Sequence, residues 1–100
     1  KVAEMATSIE AARLLTHKAA WLCDQGEPCT ESASYAKLFS AQMAQKATYE
    51  AVQILGGYGY MQEYEVERFM RDARLGTIGG GTNEVQKLII AREVVKRSMG

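Results

Sequence analysis

Apolar residues recur every three or four positions through most of the chain. From Lys1 to about Asp24 they fall at Val2, Met5, Ile9, Ala12, Leu15, Ala19 and Leu22, while Lys1, Glu4, Glu10, Arg13 and Lys18 largely occupy other faces. That period predicts an amphipathic helix packed along the apolar stripe. Gln25-Gly26-Glu27-Pro28 ends it, since glycine suits a helix C-cap and proline cannot continue the helix. Thr30 is a fair N-cap, with Glu31 favourable in the first turn of a second long helix running to about Leu55. Its inward face is predicted as Ala33, Ala36, Ser40, Met43, Ala47, Ala51 and Ile54, small residues that permit close helix approach. Tyr35 and Phe39 lie beside that face, placed to meet another subunit or domain. Gly56-Gly57 stops the helix. A shorter helix is predicted over Glu65 to Arg74, with Val66, Phe69, Met70 and Ala73 inward. A last one runs from about Asn83 to Arg97, with Val85, Leu88, Ile89 and Val95 buried and Ile90 and Val94 widening that side. No period-2 run of β-branched residues occurs, and no internal repeat. The expected fold is all-α, one helical bundle over residues 1–100 with three long helices and one short.

Composition narrows the function classes. The chain has 100 residues, 47% of them hydrophobic and only one a proline, which favours a packed domain over disorder. Twelve basic and twelve acidic residues balance, with no block of like charge, so nothing recommends nucleic acid or an anionic membrane as partner. No apolar run approaches the ~20 residues of a bilayer span, so membrane insertion is not expected. Cys23 and Cys29 are the only cysteines and His17 the only histidine, a set too small for a Cys/His zinc site. Their spacing permits a disulfide. Two cysteines are nevertheless too few to mark a secreted scaffold, and both are expected as reduced thiols of an intracellular protein. Lys1 is not an initiator methionine, and the helical pattern is already under way at Val2, so the chain is expected to be part of a longer one.

Two glycine-rich stretches hold the candidate chemistry. In Gly79-Gly80-Gly81-Thr82-Asn83-Glu84-Val85-Gln86 the glycines permit positive φ and close approach of a ligand. Thr82 or Asn83 can cap the following helix, and Asn83 with Gln86 has capping-box spacing. The unpaired N–H groups of such a helix start suit phosphate or a developing oxyanion. Gly56-Gly57-Tyr58-Gly59-Tyr60 fails as a dinucleotide fingerprint, because Gln62 stands where the third glycine belongs and a helix precedes it. Glu67, Arg68, Arg71, Asp72 and Arg74 can form local ion pairs. His17, without a partner in sequence, is expected as a surface or groove residue.

Ala51-Val52-Gln53-Ile54-Leu55-Gly56-Gly57-Tyr58-Gly59-Tyr60, then Val66 to Arg74 (VERFMRDAR), then Ile78 to Gln86 resemble the C-terminal helical domain of acyl-CoA dehydrogenases. Glu10-Ala11-Ala12-Arg13-Leu14-Leu15 and Ala36-Lys37-Leu38-Phe39 are similar to its first two long helices. The resemblance covers the whole chain. It implies a flavoenzyme that removes two hydrogens across Cα–Cβ of an acyl-CoA, with FAD as cofactor and an electron-transferring flavoprotein as acceptor. It also implies a homo-oligomer, dimer or tetramer. Position by position, Gln53, Ile54, Leu55, Gly56 and Gly57 match a stretch lying against the FAD of a neighbouring subunit. Thr82, Asn83 and Glu84 match residues at FAD in their own subunit, and Gly81 a residue beside the acyl-CoA.

Gly80 departs from the common pattern. Many members carry the catalytic glutamate there, and glycine has no side chain to take a proton. Its N–H can still donate to the thioester oxygen, as the family backbone does at this position. Members resembling isovaleryl-CoA and long-chain acyl-CoA dehydrogenases place the base on an earlier helix, which here would precede Lys1. No catalytic residue is therefore expected within 1–100. The competing readings are a catalytically silent assembly module and a sister oxidase on the same fold. A bacterial cytoplasmic location is expected, with the mitochondrial matrix as alternative.

Overall fold

The computed structural model of the chain describes residues 1–99, Tyr64 through its backbone only. The chain forms α1 (Val2–Asp24), α2 (Thr30–Leu55), α3 (Gly57–Tyr60), a 3-10 turn (Gln62–Tyr64), α4 (Val66–Leu75) and α5 (Asn83–Met99). Among the described residues the fold is all-α, as expected. Short helical turns replace the loop predicted after Gly57, and the predicted long helices appear close to their expected limits.

α1 and α2 make an antiparallel hairpin. Gly26, at φ +74°, terminates α1 in a Schellman arrangement: its N–H donates to the Cys23 carbonyl and the Glu27 N–H to the Leu22 carbonyl. That turn leaves the Cys23 and Cys29 Cα atoms 5.4 Å apart, and their sulfurs are bonded. The expectation of two reduced thiols is thereby corrected: the backbone turn already brings the pair within disulfide reach. Cys29, not Thr30, is the N-cap of α2, and Thr30 is its first helical residue. At the open end of the hairpin Lys1 Nζ meets the Glu50 carboxylate.

α2 is the pillar of the molecule. It packs against α1, α3, α4 and α5, whereas among the described residues α1 approaches neither α4 nor α5, and α4 does not approach α5. Ser34, Ala36 and Ala41 are its buried positions, and among the described residues the buried hydrophobic side chains are all alanines: Ala12, Ala19, Ala36 and Ala41. Small side chains let one helix take neighbours on several sides.

The inward faces are narrower than the apolar stripes. On α1, Met5, Ser8, Ala12, Leu15, Ala19 and Leu22 are buried or half-buried. They alternate three and four apart, the seam of a helix with a single partner. Val2 and Ile9, expected inward, are exposed. On α2, Ala36, Ser40, Met43, Ala47 and Ala51 lie inward as expected, while Ala33 and Ile54 are exposed. On α4, Val66, Met70 and Ala73 are half-buried, but Phe69 is exposed and lies 5.4 Å from the Arg68 guanidinium. On α5 the buried residues are Asn83 and Gln86, with Ile89, Ile90 and Val94 half-buried. Val85, Leu88 and Val95 are exposed, because α2 alone covers this helix.

After α2 the chain reverses against its own last turns. Gly59 is buried there, and a Cβ on it would fall 2.4 Å from the Val52 carbonyl oxygen. α4 then returns along α2 as far as Gly76, which sits against Ala41. α5 continues towards the hairpin tip, where Arg97 Nη1 pairs with Glu31 Oε2 at 2.7 Å. The glycine turn thus lies between α4 and α5, against the middle of α2.

Candidate cofactor and thioester site

The turn from Gly76 to Thr82 is anchored from three directions. The Ile78 and Gly79 N–H groups donate to the Leu75 carbonyl, continuing α4 into the turn. Thr77 is buried, its Oγ1 donating to the Arg74 carbonyl at 2.9 Å and its own carbonyl accepting the Asn83 N–H at 3.1 Å. From α2, Lys37 Nζ donates to the Gly76 carbonyl, and Lys37 Cε would lie 3.5 Å from a Cβ on Gly80.

Gly80 (φ +69°) and Gly81 (φ +96°) occupy backbone conformations that L side chains rarely adopt. Gln86 Nε2 donates to the Gly80 carbonyl at 3.3 Å, and a Cβ on Gly81 would approach that same nitrogen to 2.8 Å. Thr82 is the cap of α5, its Oγ1 accepting the Val85 N–H at 3.2 Å. The capping box expected between Asn83 and Gln86 does not form. Asn83 is already helical, and the Gln86 side chain is spent on Gly80.

The turn presents backbone N–H groups without a partner among the described residues. Among the described residues, Gly80, Gly81 and Thr82 donate no backbone hydrogen bond. Asn83 is 8% exposed, and its Oδ1 is buried without a hydrogen-bond partner. The three N–H groups stand at the positive end of a 17-residue helix, so the turn can receive an anionic or strongly polar oxygen, whereas Asn83 Oδ1 calls for a donor. Glu84 is exposed in the same helical turn, and Gly80 brings no side chain.

Gln53, Ile54, Leu55, Gly56 and Gly57 lie elsewhere. All are exposed at the C-terminal end of α2, beside the exposed Tyr58 and Tyr60. Gln53 stands about a dozen residues beyond Ala41, roughly 18 Å of helix. One chain therefore does not bring the two glycine clusters together. The clefts along the α1–α2 seam, lined by Met5, Ser8, Met43 and Ala47 or by Leu15, Tyr35 and Phe39, are separate from both.

Displaced titrations lie in ion pairs and hydrogen bonds outside the turn. The hydrogen bond from Arg71 holds the Glu67 carboxyl below its ordinary value, and that from Lys1 does the same for Glu50. The hydrogen bond to Glu31 pushes the Tyr35 hydroxyl up. Lys37, Thr77 and the side-chain role of Gln86 are what the sequence reading missed. The one available signal was a lysine set among small and apolar residues of the central helix.

An all-α domain on a pillar helix, with an oxygen-receptive glycine turn, is the class these features define. A family model for the acyl-CoA dehydrogenase C-terminal domain matches residues 1–95. The chain is 54% identical over 96 residues to a probable acyl-CoA dehydrogenase of Bacillus subtilis (strain 168), covering 96% of this chain and 25% of that protein. It is 47% identical over 96 residues to the mitochondrial short-chain specific acyl-CoA dehydrogenase of Bos taurus, covering 96% and 23%. The solved butyryl-CoA dehydrogenase of Megasphaera elsdenii superposes with a TM-score of 0.91 at 47% identity, over 93% of this chain and 24% of that one. The chain belongs to the acyl-CoA dehydrogenase family and corresponds to its C-terminal domain. It spans about a quarter of the length of these relatives.

Proposed function

We propose that the protein containing this domain is an FAD-dependent acyl-CoA dehydrogenase, oxidising acyl-CoA thioesters to 2,3-enoyl-CoA. The observation that carries the reading is the glycine turn: free N–H groups at Gly80, Gly81 and Thr82 beside the orphaned Oδ1 of buried Asn83. Buried polar atoms need partners, and a flavin with its phosphates offers both donors and acceptors, so the residues fit the cofactor. Thr82, Asn83 and Glu84 would hold FAD of their own subunit. Gln53, Ile54, Leu55, Gly56 and Gly57 would lie against FAD of a neighbouring subunit. Their remoteness from the turn supports a homo-oligomer, dimer or tetramer.

When bound, FAD supplies acceptance of the substrate β-hydrogen as hydride. The turn's own part is electrostatic. Removing an α-proton from a thioester puts negative charge on its oxygen, and a fixed N–H at Gly80 can donate to it. Gly81, beside the acyl-CoA, leaves room for the Gln86 side chain, whose Nε2 a Cβ there would meet at 2.8 Å. Lys37 and Gln86 hold the turn in place. The proton acceptor lies outside residues 1–100, because Gly80 has no carboxylate. This pattern is that of the isovaleryl-CoA and long-chain type. An electron-transferring flavoprotein would be the acceptor, and the bacterial cytoplasm the compartment, with the mitochondrial matrix as alternative.

The test is anaerobic bleaching of the flavin in the full-length protein across a panel of acyl-CoA thioesters. Bleaching by one class of thioester is expected, and it would identify the substrate. Bound flavin that no thioester bleaches would overturn the activity in favour of a sister oxidase or a silent relative. The bare Gly80 is the observation favouring silence. A protein holding no flavin would leave an assembly module.

A further inference from the structure

The Cys23–Cys29 bond joins two helix ends of opposite polarity. Cys23 lies in the last turn of α1, at the negative end of that helix, with Asp24 next to it. Cys29 is the N-cap of the 26-residue α2, at the positive end. Cys23 is exposed and Cys29 half-buried. The turn between them is closed by backbone bonds as well, from the Gly26 and Glu27 N–H groups to the Cys23 and Leu22 carbonyls.

We propose that Cys23–Cys29 is a reversible thiol–disulfide modification site, opened by low-molecular-weight thiols that attack Cys23. An incoming thiolate reaches the exposed residue Cys23, a new S–S bond forms at its sulfur, and the Cys23–Cys29 bond breaks. Cys29 leaves as a thiolate at the α2 N-terminus, where the helix stabilises its charge, and a stabilised leaving group accelerates exchange. The opposite attack is slower on both counts: Cys29 is less accessible, and Cys23 would depart at a helix C-terminus beside Asp24. A second thiol of the reductant then displaces Cys23. In total the reductant is oxidised to its disulfide, and the chain gains two electrons and two protons as two thiols. The hairpin survives because its turn is held by backbone bonds.

The experiment uses the full-length protein under native conditions. It is treated briefly with limiting β-mercaptoethanol, quenched with acid, and cleaved before Asp24 so that the two sulfurs fall on different peptides. Mass spectrometry is expected to find the mixed disulfide on Cys23 in several-fold excess over Cys29. An adduct mainly on Cys29, or equal adducts, would overturn the directed exchange. Full reduction by dithiothreitol is expected to leave the far-ultraviolet circular dichroism unchanged, as is the Cys23→Ser/Cys29→Ser variant. Loss of helix in both, or a bond that native dithiothreitol cannot open, would make the disulfide a structural staple and overturn the proposal.

Discussion

Single atoms decide whether several residues of this chain can be replaced. Gly59 is the sharpest case, because its place against Val52 leaves no room for a β-carbon. Gly59→Ala must push α3 off the end of α2 and is expected to cost about 3 kcal/mol, at the upper end of overpacking. Thermal unfolding checks it, and a variant as stable as the parent would mean that α3 can move freely. The Glu67–Arg71 pair has the opposite character: exposed on the arginine side, close at 2.6 Å, and dependent on pH. Arg71 lowers the folded-state pKa of Glu67 from an ordinary 4.5. Its support for folding is therefore fully present above the ordinary carboxylate range and is lost as pH falls through the lowered folded value. Acid unfolding of Glu67→Gln should begin less stable than the parent near neutrality and converge with it at low pH. Parallel curves at all pH values would show that the pair contributes nothing.

The helices themselves were legible, since a 3.6-residue period over two dozen positions leaves no competing reading. Which face of each is buried was only partly legible, and Val2, Ile9, Val85, Leu88 and Val95 show why. Their apolar character widens the stripe beyond the seam that α2 covers. A stripe in sequence marks surface suited to burial without naming the partner that buries it. The glycine turn was visible from its composition, whereas its anchors were not. Lys37 meets Gly76 across 39 positions, and Gly59 meets Val52 only because the chain reverses; neither contact leaves a local signal. The disulfide was misjudged for a related reason: counting cysteines says nothing of a backbone turn that sets two of them side by side. At this scale the small residues of α2 give the clearest test. Ala41 is 6% exposed and faces Gly76, so Ala41→Leu must wedge the glycine turn away from the pillar, at about 1–3 kcal/mol. Ala33, on the same helix but exposed, should accept leucine within about 0.5 kcal/mol. Denaturant unfolding of both variants separates the cases, and equal effects would mean that α2 is not packed at Ala41.

The whole molecule is too long and too exposed to be complete as a packing unit. It measures 54 × 22 × 21 Å with a radius of gyration of 15.9 Å, against about 13 Å for a compact domain of this length. Its accessible surface is 7073 Å², whereas a compact protein of this mass exposes about 5,600 Å². The excess exceeds the ~800 Å² that one partner contributes to a standard interface. Much of it is apolar: Val2, Leu14 and Trp21 on α1, Leu88, Val95 and Met99 on α5, and Tyr58 and Tyr60 on α3. Surface of this kind associates. Sedimentation equilibrium on isolated residues 1–100 should give an average mass that rises above 11.0 kDa with concentration, and a constant monomer mass would refute this. The same polypeptide should bind FAD negligibly. Gln53 to Gly57 stand roughly 18 Å of helix beyond Ala41, where the glycine turn meets α2, so on the proposed reading each chain offers two separate partial sites and completes neither. A tight, stoichiometric fluorescence titration of the isolated chain would show that the glycine turn holds the cofactor unaided, and the second cluster would then lose its assigned role.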